Sequence, residues 1–155
     1  TLRNALGDVG IDPIGLTRDD WLDVLMTHRL QPAFASDQLL AVHDWPASQA
    51  ALARIRNDAP PVAERFELYL GSLELANGYH ELCDPSEQRA RFERDAAVRA
   101  QRGLPSIPND TALLAALAHG LPACAGVAVG VDRLLMALLG TSRIADVLAF
   151  EFAKA

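Results

Sequence analysis

Glu64-Arg65-Phe66-Glu67-Leu68-Tyr69-Leu70-Gly71-Ser72-Leu73-Glu74-Leu75-Ala76-Asn77-Gly78-Tyr79-His80-Glu81-Leu82 reads as a hairpin. Side chains of a strand alternate between two faces, so Phe66, Leu68 and Leu70 share one face of residues 64–70, and Arg65, Glu67 and Tyr69 the other. Gly71-Ser72 suits a two-residue turn with glycine first. Residues 73–82 then form the returning strand, with Asn77-Gly78 hinting at a bulge. With that turn, Leu70 faces Leu73, Tyr69 faces Glu74 and Glu67 faces Ala76. Glu67 and Glu74 become diagonal neighbours on one face, their Cβ atoms roughly 7 Å apart.

Two carboxylates so placed repel each other unless a cation lies between them. A hard cation such as Mg²⁺, bound to one or two carboxylates and to substrate phosphates, is a natural solution. The plain alternative is a solvent-facing hairpin, because exposed glutamates are common. The returning strand weighs against that alternative: Asn77, Gly78, Tyr79 and Glu81 interrupt a run that otherwise looks buried. Glu81, bounded by Tyr79 and Leu82, suits a partly desolvated carboxylate that receives a substrate ammonium. Such a site rejects a ligand lacking the cation, which would leave a buried charge unpaired.

A second block, Gly126-Val127-Ala128-Val129-Gly130-Val131-Asp132-Arg133, has small residues at every second position. On a strand, Gly126, Ala128 and Gly130 leave one face bare, so a backbone or a flat ligand must approach it closely. A helix crossing would explain the same pattern. Arg133 lies at the mouth of the next helix, where a guanidinium can stack on a base or grip a phosphate. The glycine spacing is not that of the dinucleotide fingerprint, and no Gly-Lys-Ser/Thr ending marks a phosphate-binding loop.

The flanking segments fill out the fold. Thr17 can cap a helix over 18–28; 37–43 reads as a strand, 43–49 as a loop, 50–56 as a helical turn and 57–61 as a breaker cluster. Asp84, Pro85 and Glu87 open a helix with a capping box, running to about Arg102 and stopping at Gly103. Asp110 caps a helix over 111–119. Residues 125–131 read as a buried strand, and a helix from Val131 or Asp132 to Leu139 stops at Gly140. The stretch 147–152 is a last strand or a docked end. The expected class is α+β, antiparallel strands with helices packed on one side.

The 155 residues form one domain or a piece of a larger one, 50% apolar and 22% charged. A chain of this length can bury roughly 70% of its unfolded surface without disulfide or metal. Net charge is −6, from 14 basic and 20 acidic residues, and no basic stripe of the kind that grips a nucleic-acid duplex is visible. Arg89, Arg91, Arg94, Arg99 and Arg102 are interleaved with Glu87, Glu93 and Asp95 and read as a solvated helix face. Cys83 and Cys124 lack metal-ligand spacing and read as plain thiols. His28, His43 and His119 read as structural, while His80 could point to either face. The apolar runs at 112–118 and 134–139 are too short to cross a bilayer and no signal peptide is evident, so a cytoplasmic protein without membrane contact is expected. The chain opens at Thr1 without an initiator Met, so an upstream segment is expected.

Glu67, the run Glu74 to Leu82 and the block Gly126 to Arg133 together resemble class II lysyl-tRNA synthetases, the last block resembling that class's third signature motif. The resemblance extends over essentially the whole chain. Three details are more similar to the protein-ligase paralogues within that family, which attach a lysine to elongation factor P. These are the Pro46-Ala47-Ser48-Gln49 stretch, Leu75-Ala76 before Asn77 where synthetases usually have Ile-Gly, and Ala128 where they usually have glycine.

The resemblance implies that residues 1–155 are the C-terminal half of a class II catalytic domain, with the third motif at 126–133 and the first two upstream of Thr1. It implies Mg²⁺ on Glu67 and Glu74, and ATP near Glu74, the Leu75 backbone, Gly130 and Arg133. It implies an amino-acid pocket of Asn77, Tyr79, Glu81 and Ala128, with Glu81 taking the ammonium. Glu74 and Arg133 would act at the reacting phosphates. The implied reaction makes an aminoacyl-adenylate from lysine or (R)-β-lysine and passes the acyl group to elongation factor P, in an enzyme that is a homodimer at full length. The chain alone is expected to be inactive. Two alternatives stay open: a synthetase that charges tRNA with lysine, and a non-catalytic amino-acid-binding module. Retention of Glu67, Glu74, Glu81 and Arg133 together argues against the module.

Overall fold

A computed structural model describes residues 2–12 and 14–151. In chain order come α1 (Leu2–Ala5), α2 (Arg18–Leu25), β1 (Leu39–Pro46), β2 (Ile55–Arg56), β3 (Val62–Leu70), β4 (Leu73–His80), α3 (Pro85–Gln101), α4 (Thr111–His119), β5 (Ala125–Val129) and α5 (Val131–Leu139). The strands form one antiparallel sheet in the order β1-β3-β4-β5, and β2 pairs with Val62 and Ala63 of β3. The α+β class is the one expected.

Local chemistry explains the hairpin and the helix ends. Gly71 adopts φ 54°, a left-handed conformation suited to glycine, and a Cβ there would lie 3.1 Å from the Ser36 backbone. Thr17 and Asp20 form a reciprocal capping box at α2. Asp84 accepts from the backbone N–H of Ser86 and Glu87 at the start of α3, and Asp110 accepts from that of Leu113 in α4. Glu87 turns to Arg91 rather than back to the cap. Helix α5 stops at left-handed Gly140.

Several expectations are corrected. The helix expected over 18–28 leaves α geometry at Leu25 and continues as a π turn, Met26–Leu30. Strand β1 runs on to Pro46 through a bulge at Asp44 (φ 58°), where a loop was expected. Proline is tolerated there because β1 is a sheet edge. Residues 50–56 are no helical turn: Ala51 is left-handed, Ala53 bridges Glu81, and Ile55–Arg56 pair as β2. Strand β5 ends at Val129 and is exposed rather than buried, with Val127 at 55%, because no further strand among the described residues covers it. The described part of 147–152 forms no strand, and Phe152 lies outside the described residues.

Arg91 is also not on the solvated face expected for it. It is 7% exposed and donates to the Ala51 and Ala53 carbonyls at 2.9 and 2.8 Å while pairing with Glu87. These bonds replace the ones a helical turn would have made, and they tie α3 to the small core of Ala50, Ala53 and Ala63. Arg91→Met is expected to lower stability by about 3 kcal/mol, because two carbonyls lose their charged donor. Urea unfolding of the full-length protein measures this. Among the described residues no helix is long and apolar enough to cross a membrane.

Candidate active site

The β3–β4 pairing contains one irregularity, and it builds the site. Leu70 faces Leu73 and Tyr69 faces Glu74, as expected, but Leu68 faces Ala76, so Leu75 is an extra residue. The bulge therefore lies at Leu75, not at Asn77-Gly78, and Glu67 faces Asn77 rather than Ala76. One residue of slip moves every later side chain to the other face. Arg65, Glu67, Tyr69, Glu74, Asn77 and Tyr79 now share a face, while Ala76 leaves it. His80 turns to the opposite face, where its Nδ1 lies 3.0 Å from Glu64.

The bulge is clipped in place by the second sequence block. The Gly130 N–H donates to the Leu75 carbonyl at 2.9 Å, and the Arg133 guanidinium donates to the Glu74 carbonyl at 2.9 Å. Arg133 also lies 3.6 Å from the Glu74 carboxylate. Glu74, Leu75, Gly130 and Arg133 thus form one cluster at the N-terminus of α5. A Cβ on Gly130 would touch the Arg133 side chain at 3.4 Å.

Strand β5 completes a cleft of about 320 Å³ lined by Asn77, Tyr79, Glu81, Gly126, Val127 and Ala128. Ala128 faces Asn77 and Gly126 faces Tyr79. The bare face of this strand has a definite tenant: a Cβ on Gly126 would come within 2.5 Å of a Glu81 carboxylate oxygen. Burial first, then the negative charge of Glu81, raises the pKa of Tyr79, so the phenol keeps its proton.

Glu67, 6% exposed, accepts hydrogen bonds from Arg65, from Tyr69 Oη and from Asn77 Nδ2. Burial chiefly, and the bond to Glu67, raise the Tyr69 pKa well above its ordinary value, which keeps it a donor. Arg65 is the residue that reasoning from sequence missed. The cation beside Glu67 belongs to the chain itself, and its position two residues away on the same strand face was the available signal.

A family model of class II tRNA synthetases (D, K and N) matches residues 23–154. The chain belongs to this family. It is 47% identical over 157 aligned residues to a protein from Pectobacterium carotovorum named elongation factor P--(R)-beta-lysine ligase, covering 99% of this chain and 48% of that relative. It is 48% identical, with the same coverage, to a protein of the same name from Salmonella gallinarum. The chain therefore spans about half the length of these curated relatives.

In this class II chain, eight of the nine residues singled out from the sequence fall in two clusters, the cleft and the clipped bulge, and the ninth, Glu67, is buried behind the cleft wall, bonded to Asn77. Among the described residues no group of three His, Cys, Asp or Glu converges to hold a metal alone. Of the two carboxylates expected to hold a cation, Glu74 is the open one and Glu67 is already bonded to Arg65, Tyr69 and Asn77. A carboxylate has about four lone-pair sites; donors occupy three on Glu67, and the Glu74 carboxylate is 36% exposed.

Gly126→Ala is expected to push the Glu81 carboxylate off its seat, since the side-chain end moves more easily than the strand. If the cleft seats an amino-acid ammonium on Glu81, the KM for that amino acid should rise between roughly tenfold and a hundredfold. Steady-state kinetics of amino-acid activation in the full-length protein checks this.

Proposed function

We propose that this chain supplies the amino-acid pocket and part of the nucleotide site of an ATP-dependent ligase. That ligase activates lysine or (R)-β-lysine and transfers it to a lysine of elongation factor P. The observation that carries the reading is the state of Glu81. Glu67 is matched by Arg65 and Glu74 by Arg133, but among the described residues no cation of the chain pairs with the Glu81 carboxylate. A half-buried carboxylate left open in a cleft is a seat for a cation from outside, and a side-chain ammonium matches it. The relatives' names supply the acceptor and the β-isomer. Ala128, the ladder partner of Asn77, adds a methyl beside it on the same face of the cleft.

The chemistry has two steps. An oxygen of the amino-acid carboxylate attacks the α-phosphorus of ATP; the new P–O bond forms as the bond to the bridging oxygen breaks, and pyrophosphate leaves. The lysine amine of elongation factor P then attacks the acyl carbon, forming the amide as AMP leaves and the amine proton passes to solvent. Glu81 holds the ammonium, and Asn77 and Tyr79 orient the rest of the amino acid. Arg133, steadied by the Glu74 carbonyl, presents a planar cation to adenine and phosphates, beside the Leu75 backbone and the open surface of Gly130. No side chain forms a covalent intermediate, so the contribution is positioning and charge. Mg²⁺, held by Glu74 and Glu67, would supply neutralisation of phosphate charge. On this reading the enzyme works in the cytoplasm as a homodimer.

Calorimetric titration of Mg·ATP, then lysine and (R)-β-lysine, into the full-length protein tests the proposal. Tighter binding of the β-isomer supports it. A preference for α-lysine favours a tRNA-charging enzyme, and no binding leaves a non-catalytic module.

A further inference from the structure

We infer that Arg65 is a positioning residue for amino-acid recognition, acting through Asn77; this rests on the functional reading above. Its side chain is 18% exposed and reaches four segments at once. The guanidinium stacks on Trp45 of β1 at 4.5 Å from the ring centroid. It donates to the Gln49 carbonyl at 3.3 Å, to the Asn77 side-chain oxygen at 3.2 Å and to Glu67. The Trp45 indole N–H is buried and makes no hydrogen bond, so the ring serves here through its face.

The consequence for Asn77 is specific. An amide side chain can turn end for end, and which end faces the ligand decides what it recognises. With its oxygen on Arg65 and its nitrogen on Glu67, 3.0 Å away, the Asn77 amide is held in one orientation. The remaining N–H is then available on the wall of the cleft that also holds Tyr79, Glu81 and Ala128. The same guanidinium ties in the Ala47–Gln49 turn, which α2 holds from the other side through Ser48 to Asp19 and Gln49 to Asp23. The amino-acid pocket is thus braced from a turn and a helix that do not line it.

A lysine at this position keeps the charge but cannot make the planar fork or stack in the same way. In the full-length protein, Arg65→Lys should raise the KM for the amino acid about tenfold, with kcat and the KM for ATP moved far less. On an Asn77→Ala background the same change should add little, because neighbours acting through one contact are not additive. The NMR signals of the Asn77 side-chain amide report the hold directly: proton shifts displaced by the bond to Glu67 and slow solvent exchange in the parent, and shifts and exchange of a solvent-exposed asparagine in Arg65→Lys. If Arg65→Lys is too unstable to assay, Trp45→Leu keeps the guanidinium and removes its stacking face, with a rise of about threefold. An unchanged KM, or an equal rise with and without Asn77, overturns the inference. If the parent activates no lysine-type substrate, the functional reading fails, and the amide signals alone decide whether Arg65 holds Asn77.

Discussion

Glu81→Gln should reduce lysine-dependent ATP–pyrophosphate exchange about a thousandfold in the full-length protein, through loss of amino-acid affinity rather than loss of fold. The substitution preserves shape and removes only charge. The Glu81 backbone stays in place through its N–H bond to the Cys124 carbonyl and the bridge to Ala53. What disappears is the partner of a desolvated ammonium, and an unpaired buried charge costs about 3–5 kcal/mol. If Glu81 were an ordinary exposed acid, the change would be within a few-fold, and kinetics in the variant separate the two cases. Thermal melting should show little difference, because no charged partner in the described chain loses its match.

Arg133→Met should lower the activation rate by about a hundredfold to a thousandfold while leaving amino-acid binding in the absence of ATP nearly unchanged. Arg133 is far from the Glu81 end of the cleft in the order of the face, and its bond is to the Glu74 carbonyl at the bulge. Loss of that bond frees the bulge and removes the cation proposed to meet the nucleotide. Arg133→Lys should recover little, since an ammonium cannot stack as a planar guanidinium does. Calorimetry of each ligand separately, together with pyrophosphate exchange, distinguishes this outcome from general unfolding.

The parts of the fold that were legible in sequence are those governed by neighbours along the chain. The Gly71 turn, the Asp84 and Asp110 caps and the Gly140 stop depend on residues within one turn of themselves. The bulge was foreseen in the wrong place because its cause is remote: the Glu74 and Leu75 carbonyls find donors in Arg133 and Gly130, more than fifty positions later. The same distance hid the fate of 50–56, where Arg91 of α3 takes the carbonyls a helical turn would have used. The exposure of β5 could not be read from its apolar composition, since a run of valines looks alike at an edge and in a centre.

For the candidate site, residue types spoke more clearly than register. Glu67, Glu74, Asn77, Tyr79, Glu81, Ala128, Gly130 and Arg133 were all visible as chemistry, but the bulge decides that Asn77 and Tyr79, not Ala76, accompany Glu67. Arg65 escaped notice because an arginine beside a glutamate on an amphipathic strand looks like ordinary surface pairing. Its burial against Trp45 became visible only once β1 lay alongside β3.

The most direct test of the central claim is transfer. Purified full-length protein would be given Mg·ATP and labelled (R)-β-lysine, with elongation factor P and lysine tRNA offered together as acceptors. The account predicts label on a lysine of elongation factor P, none on tRNA, and neither in the Glu81→Gln variant. Label on tRNA alone, or transfer that survives Glu81→Gln, would contradict it.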